Sequence, residues 1–216
     1  MKMKLGRFLG IDVYLHFTLI LFLLWVLVQN DPNSSSFLLT LLVFTVIVLH
    51  EYGHALTARY FGIATRDITL YPIGGIASLE YMPRNPRQEF LIALAGPAVN
   101  IVLAALFYFL FPQGMIRFWM VWINMILAAF NLLPLFPSDG GRILRAFMAF
   151  FMPHNKATII ASFVGQFLAI LLGGLAIWQE MYMLSLVALF IWFAAGRERQ
   201  AQNPVKGFRF KIFRGF

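Results

Sequence analysis

Several apolar runs in this chain are long enough to cross a lipid bilayer, and they constrain its fold more than any other feature. A transmembrane helix needs about 20 predominantly apolar residues to span about 30 Å of hydrocarbon. With 61% hydrophobic and 12% charged residues, the chain is too apolar for a soluble domain. We therefore predict an all-α polytopic membrane protein. Its six predicted transmembrane helices cover residues 15–28, 37–58, 90–111, 118–136, 157–178 and 182–195.

The basic residues fall almost entirely on one side of this topology. If the N-terminus is cytoplasmic, sixteen of the seventeen Lys and Arg residues lie in cytoplasmic segments, and Arg117 lies outside. This positive-inside pattern predicts a multi-pass protein of the cell membrane with both termini in the cytoplasm. It also accounts for the net charge of +8 without a nucleic-acid partner, which we exclude.

Two domains are predicted, a membrane-embedded domain over residues 1–196 and a basic, aromatic cytoplasmic tail over residues 197–216. Cations interleaved with aromatic rings bind anionic membrane surfaces, so we expect lipid headgroups as the partner of this tail. The residues concerned are Arg197, Arg199, Lys206, Arg209, Lys211, Arg214, Phe208, Phe210, Phe213 and Phe216.

The sequence His50-Glu51-Tyr52-Gly53-His54 ends the second apolar run and places ionisable groups at membrane depth. Residues four apart share one face of an α-helix, so His50 and His54 are predicted to bind one metal ion, Zn²⁺, per chain. Glu51 flanks the pair and is predicted to act as the general base. Ionisable side chains inside a membrane are costly and are normally functional.

A catalytic zinc site has three protein ligands and one open position, so a third ligand is required. The absence of cysteine excludes a thiolate. Asp139 lies at the cytoplasmic edge of an apolar run, at the same depth as the histidines, and is the preferred ligand. His16, at the start of the first run, and His154, in a polar loop, are the alternatives.

The segment 67–80 alternates polar and β-favouring residues around Gly74-Gly75, which predicts a small re-entrant β-hairpin between the second and third helices. A free strand edge at this depth offers an extended substrate a place to pair. Gly74, Gly75 and Ile76 are therefore predicted to bind substrate. A plain connector packed over the helices is the alternative.

Four motifs together resemble the site-2 protease family of intramembrane zinc metalloproteases. They are His50 to His54, Pro72-Ile73-Gly74-Gly75, Ala95-Gly96-Pro97-Ala98-Val99-Asn100 and the stretch from Asn131 to Arg142, within a similarity over residues 6–150. The resemblance implies that Asp139 is the third zinc ligand. It also implies that Asn131 lies near the site, where its amide could stabilise a developing oxyanion. Asn100 is either a group behind the metal ligands or a helix–helix hydrogen-bonding residue.

The resemblance implies an intramembrane endopeptidase that hydrolyses peptide bonds of transmembrane proteins near the cytoplasmic side of the membrane. We expect a minimal six-span member without PDZ or CBS domains, because no segment of the sequence has the length for them. The alternative from another functional class is a zinc-binding transporter or adaptor without protease activity. A transporter needs polar residues along its path, and the last two predicted helices offer little beyond Ser162, Gln166 and Ser185.

Overall fold

The computed structural model describes residues 1–29 and 36–202, which contain seven helices and four strands. The elements, in chain order, are β1 (Lys2–Phe8), β2 (Ile11–His16), α1 (Phe17–Gln29), α2 (Ser36–Tyr60), β3 (Thr65–Tyr71), β4 (Gly74–Leu79), α3 (Pro86–Leu110), α4 (Met115–Leu132), α5 (Asp139–Met148), α6 (His154–Trp178) and α7 (Tyr182–Gln202). Each predicted transmembrane run overlaps one helix, and α5 is an additional short helix. Of the predicted tail, residues 203–216 lie outside the described residues.

Four helices in the described part of the chain are long and apolar enough to cross a membrane, namely α2, α3, α4 and α6. Helix α1 is apolar but has 13 residues. At a rise of 1.5 Å per residue it is about 20 Å long, which is less than the hydrocarbon thickness. Helix α7 has 21 residues, but its last part is charged around Arg197, Glu198 and Arg199. The chain is thus a helical membrane protein with four candidate spans, and the predicted count of six is not confirmed.

The predicted all-α class needs correction at the N-terminus, which forms two strands. The sheet has the order β1-β2-β3-β4. Its outer pairs are antiparallel, whereas β2 and β3 run parallel. The predicted hairpin is therefore present as β3–β4, but it is half of a four-stranded sheet. Leu15 belongs to β2 and pairs with Leu70, so the first helix begins at Phe17 instead of residue 15.

The sheet packs on α1 and α2 through one apolar cluster. Alternation along the strands directs one face of β2 and β3 inward. The buried members of the cluster are Ile11, Val13, Leu19, Phe44, Tyr52, Ala55, Ile68 and Leu70. Two hydrogen bonds also fix the β1–β2 turn to α2: the Tyr52 hydroxyl donates to the Phe8 carbonyl at 2.9 Å, and Arg59 donates to the Leu9 carbonyl at 2.7 Å. The sheet is thus held against the helix that carries His50 and His54.

The chain leaves the helical conformation after Leu132 and re-enters it at Asp139. Pro134 and Pro137 in this connection cannot donate backbone hydrogen bonds, as the sequence indicated. A Cβ on Gly140 would lie 2.1 Å from the Leu133 carbonyl oxygen, so the chain can fold back this closely only at a glycine. The return places Asp139 in the protein interior.

A buried ionic cluster holds α5 against three other helices. Arg145 on α5 donates to Glu89 of α3 at 2.8 Å and to Glu198 of α7 at 2.6 Å. His154, the first residue of α6, lies 3.2 Å from the second oxygen of Glu89. Arg145 and Glu89 are both buried. The cluster therefore connects α3, α5, α6 and α7 at the end of the bundle next to Asp139.

Candidate metal centre

Three buried ligand atoms from His50, His54 and Asp139 meet between α2 and α5. The Nε2 atom of His50 is 3.0 Å from Asp139 Oδ2, and that of His54 is 3.1 Å from the same oxygen. The two Nε2 atoms are 3.1 Å apart. Tetrahedral zinc, with bonds of about 2.0–2.1 Å, separates its ligand atoms by about 3.3 Å. Two imidazoles and one carboxylate in this arrangement fit a zinc ion and leave one position open.

Both imidazoles are oriented by hydrogen bonds from the ring nitrogen that faces away from the ligand group. His54 Nδ1 lies 2.7 Å from the Ile92 carbonyl oxygen, which can only accept, so Nδ1 carries the proton and Nε2 presents a lone pair. His50 Nδ1 donates in the same way to Asn100 Oδ1 at 3.0 Å. Asn100 is on α3 and His50 is on α2, so this hydrogen bond joins two helices and also lies behind a candidate metal ligand. The two roles predicted for Asn100 therefore correspond to the same bond. Such partners fix the tautomer and the ring orientation of metal-binding histidines.

Asp139 is buried and carries its charge in a favourable environment. It is the first residue of α5, where the positive end of the helix dipole favours an anion. Burial raises the pKa of Asp139, but its contacts with His50 and His54 outweigh burial and hold the pKa well below its usual value. Its second oxygen lies 3.7 Å from the Arg142 guanidinium. Asp139 is therefore an ionised carboxylate, the form that binds a metal.

The β3–β4 hairpin contacts Glu51 directly. The backbone N–H of Ala77 on β4 donates to Glu51 Oε2 at 3.0 Å. A Cβ on Gly75 would lie 2.6 Å from Glu51 Cγ, so β4 approaches this side chain closely only because residue 75 is glycine. Gly74 has φ of 141°, a conformation that favours glycine. The hairpin predicted to bind substrate therefore lies beside the glutamate predicted to act as base.

Gly96 lies at the site, although the sequence predicted no role for it beyond membership of a motif. It lies on α3, and a Cβ at this position would be 2.2 Å from His54 Nε2 and 2.6 Å from His50 Nε2. Any side chain here would occupy the space of the imidazoles. The motif Ala95-Gly96-Pro97 was the available signal, but a small residue in an apolar helix is ordinarily explained by close helix packing.

Three other predicted residues make their hydrogen bonds to groups other than the three ligands. The Asn131 amide donates to the Leu127 carbonyl at 3.0 Å within α4, so this bond directs it along its own helix. His16 Nδ1 is 2.7 Å from the Thr18 hydroxyl. His154 contacts Glu89 in the ionic cluster. Of the candidates for the third ligand, the structure brings Asp139 to the two histidines.

Buried metal ligands within a bundle of apolar helices define a membrane-embedded metalloprotein. The model of peptidase family M50 matches residues 37–116 and 112–172 of this chain. In a comparison of structures, the chain is similar to a site-2 protease from Methanocaldococcus jannaschii, with a TM-score of 0.68 and 32% identity, over 92% of this chain and 95% of that one. The chain belongs to peptidase family M50 and is a member of the site-2 protease family.

Two curated relatives show the same similarity along the sequence. A zinc metalloprotease of Methanocaldococcus jannaschii is 35% identical over 206 residues, which are 91% of this chain and 60% of that protein. Stage IV sporulation protein FB of Bacillus subtilis is 26% identical over 79% of this chain and 61% of its own length. The chain thus spans about three fifths of the length of these relatives.

Proposed function

We propose that this protein is an intramembrane zinc endopeptidase that cleaves transmembrane protein substrates. The observation that carries the proposal is the meeting of His50, His54 and Asp139 beside Glu51 within a bundle of apolar helices. Zn²⁺ is the cofactor, with one ion per chain. The relatives that bear the name zinc metalloprotease support both the metal and the reaction.

The chemistry divides between the metal and Glu51. A zinc ion bound by the three ligands supplies a Lewis acid that polarises the scissile carbonyl and lowers the pKa of water. Glu51 removes the proton from the attacking water and afterwards delivers it to the departing amine. Ile92 and Asn100 keep the imidazole Nδ1 atoms protonated, so the Nε2 atoms remain ligands throughout.

The substrate is proposed to bind as an extended strand along β4. A helix engages its own backbone groups in hydrogen bonds, so a transmembrane substrate must unwind locally before cleavage. Strand β4 is the last strand of the sheet and offers a free edge beside Glu51. Gly74 and Gly75 keep this edge free of bulky side chains, and Ile76, 57% exposed, presents an apolar surface to the substrate.

The proposed topology has six spans, with α1 and α7 added to the four long apolar helices. Both termini and the metal centre then lie towards the cytoplasm, because the ends of the spans on that side carry the basic residues. These residues are Lys2, Lys4, Arg7, Arg59, Arg66, Arg84, Arg87, Arg142, Arg145, Lys156, Arg197 and Arg199. Residues 1–196 form the membrane domain in this proposal, and the tail 197–216 binds lipid headgroups.

The test combines activity with metal content. Wild type and Glu51→Gln are co-expressed with a panel of single-span membrane proteins, and cleaved fragments are compared. Glu51→Gln should retain about one Zn²⁺ per chain while losing nearly all cleavage, since it removes the base and leaves the ligands intact. Asp139→Ala should lose both.

Two outcomes would contradict the proposal. One is active protein without zinc in elemental analysis. The other is cleavage by Glu51→Gln at the wild-type rate. A zinc transporter or adaptor is not favoured, and it would be indicated by zinc-loaded wild type that cleaves none of the panel.

A further inference from the structure

The free edge of β4 presents a defined set of backbone donors. Residues along an antiparallel strand alternately face the partner strand and face away from it. The N–H of Glu80 donates to the Ala64 carbonyl at 2.8 Å, on the β3 side. Two and four residues before Glu80, Ser78 and Ile76 therefore also face β3. The pairing of β3 with β4 is irregular between Thr65 and Asp67, but the extra residue is on β3, so the alternation along β4 is unbroken. The residues that face away are Gly75, Ala77 and Leu79.

One of these outward donors is already in use. The N–H of Ala77 donates to Glu51 at 3.0 Å, and the same glutamate side chain lies against Gly75. A strand that pairs with β4 requires the outward N–H groups at alternate positions. Glu51 and a substrate strand therefore compete for the N–H of Ala77.

We propose that a substrate strand displaces Glu51 from Ala77 when it pairs with β4, so that substrate binding itself releases the base. This inference rests on the proposed function and adds how the site responds to its substrate. In the free protein, the edge strand retains the carboxylate. A substrate segment that is still helical has no free backbone groups to exchange for it, so Glu51 stays bound. An unwound segment replaces Glu51 at the N–H of Ala77 and so meets a released carboxylate. The availability of the base is thereby coupled to substrate unwinding.

A double-mutant cycle tests this competition. The probe is a fluorescent peptide of alternating leucine and valine with a reduced, non-hydrolysable central amide, and its Kd for the zinc-loaded protein in detergent is measured by anisotropy. Glu51→Ala removes the competing acceptor, so it should lower the Kd about three- to tenfold. In the Ala77→Pro background, which lacks the N–H, the same change should leave the Kd unaltered. Proline is tolerated where an edge strand faces outward, and Ala77→Ser, which keeps the N–H, is the matched control.

Amide hydrogen exchange gives a second readout that requires no change in the sheet. The Ala77 amide should be protected in free wild type, exchange rapidly in free Glu51→Ala, and be protected in both proteins when the probe is bound.

A Kd that Glu51→Ala does not alter, or alters equally in both backgrounds, would overturn the proposed displacement of Glu51. Absence of probe binding to all variants would overturn it too, because the edge would then accept no strand. Zinc-dependent cleavage by wild type alongside either result would leave the proposed function standing.

Discussion

Gly96 is the residue whose replacement most directly tests the metal centre. In Gly96→Ala the new methyl group would lie 2.2 Å from His54 Nε2, so the imidazole or α3 must move and the ligand group opens. We expect loss of most of the bound zinc, measured by elemental analysis of purified protein. Gly174→Ala on α6 is the matched control, because nothing lies within 4 Å of the added Cβ. Equal zinc content in the two variants would show that Gly96 does not make room for the ligands.

Asn100 provides a test of how the ligands are oriented. Asn100→Ala leaves the His50 Nδ1 proton without its acceptor in a fully buried position. Loss of such a partner typically lowers metal affinity about 10- to 100-fold. Asn100→Asp retains an acceptor at the same position and should bind zinc more tightly than Asn100→Ala. Competition with a chromophoric chelator measures both affinities, and an unchanged affinity of Asn100→Ala would contradict this role.

The metal ligands could be predicted from sequence because their chemistry is local. His50 and His54 are four residues apart on one helix, and Asp139 matches them in depth. The groups that orient the site could not be predicted in the same way. The carbonyl of Ile92 and the N–H of Ala77 are backbone groups that nearly any residue supplies, so their positions depend on the tertiary fold.

At the scale of elements, Arg145 is expected to hold α5, and with it Asp139, in place. Arg145→Met leaves the buried carboxylate of Glu89 without its cation, which typically destabilises a protein by about 3–5 kcal/mol. We expect a lower midpoint of thermal unfolding in detergent and a reduced zinc content. The double variant Arg145→Met with Glu89→Gln removes both charges and should recover part of the stability. Arg87→Met, at an exposed position of α3, is the control.

The sheet is expected to weaken in acid through Asp67. Burial raises the pKa of Asp67, but its hydrogen bonds outweigh burial and lower the pKa below its ordinary 3.8. The hydrogen bond from Lys2 has the largest effect among them. Since the folded pKa is below the unfolded one, ionised Asp67 stabilises the sheet above about pH 4, and this is lost as the pH falls through the folded value. The protection factors of the amides in β1 and β3, which compare the observed exchange with the intrinsic rate at the same pH, should therefore fall on acidification. Asp67→Asn should reduce this pH dependence, and identical profiles would contradict it.

The N-terminal strands show why an element can escape prediction. Residues 11–16 are mostly apolar and run directly into α1, so hydropathy joined part of β2 to the first helix. Lys2 to Phe8 precede that helix, in a segment that the predicted topology places in the cytoplasm. Its strand conformation depends on pairing with β2, which in turn pairs with β3 more than 50 residues further along the chain. Such long-range pairing leaves little local signal, whereas the β3–β4 hairpin is marked by its glycines.

For the whole molecule, the number of membrane crossings decides on which side the termini and the metal centre lie. The described residues contain four long apolar helices, while the distribution of charge favours six spans. The two counts differ at α1 and α7. A short first helix can still cross a locally thinned bilayer, and the charged end of α7 is compatible with a span that emerges into the cytoplasm.

Reporter fusions test the orientation of the long helices and whether α7 crosses the membrane. Fusions after Gln113 and Gln179 should report the external side, and fusions after Arg84, Asn155 and Gln202 the cytoplasm. The pair at Gln179 and Gln202 tests α7 alone, since the two reporters lie on opposite sides only if α7 crosses the membrane. The basic residues that flank these positions give the expected orientation. An external reporter after Asn155 would place His50, His54 and Asp139 towards the outside, and a substrate would then be cleaved near its external end.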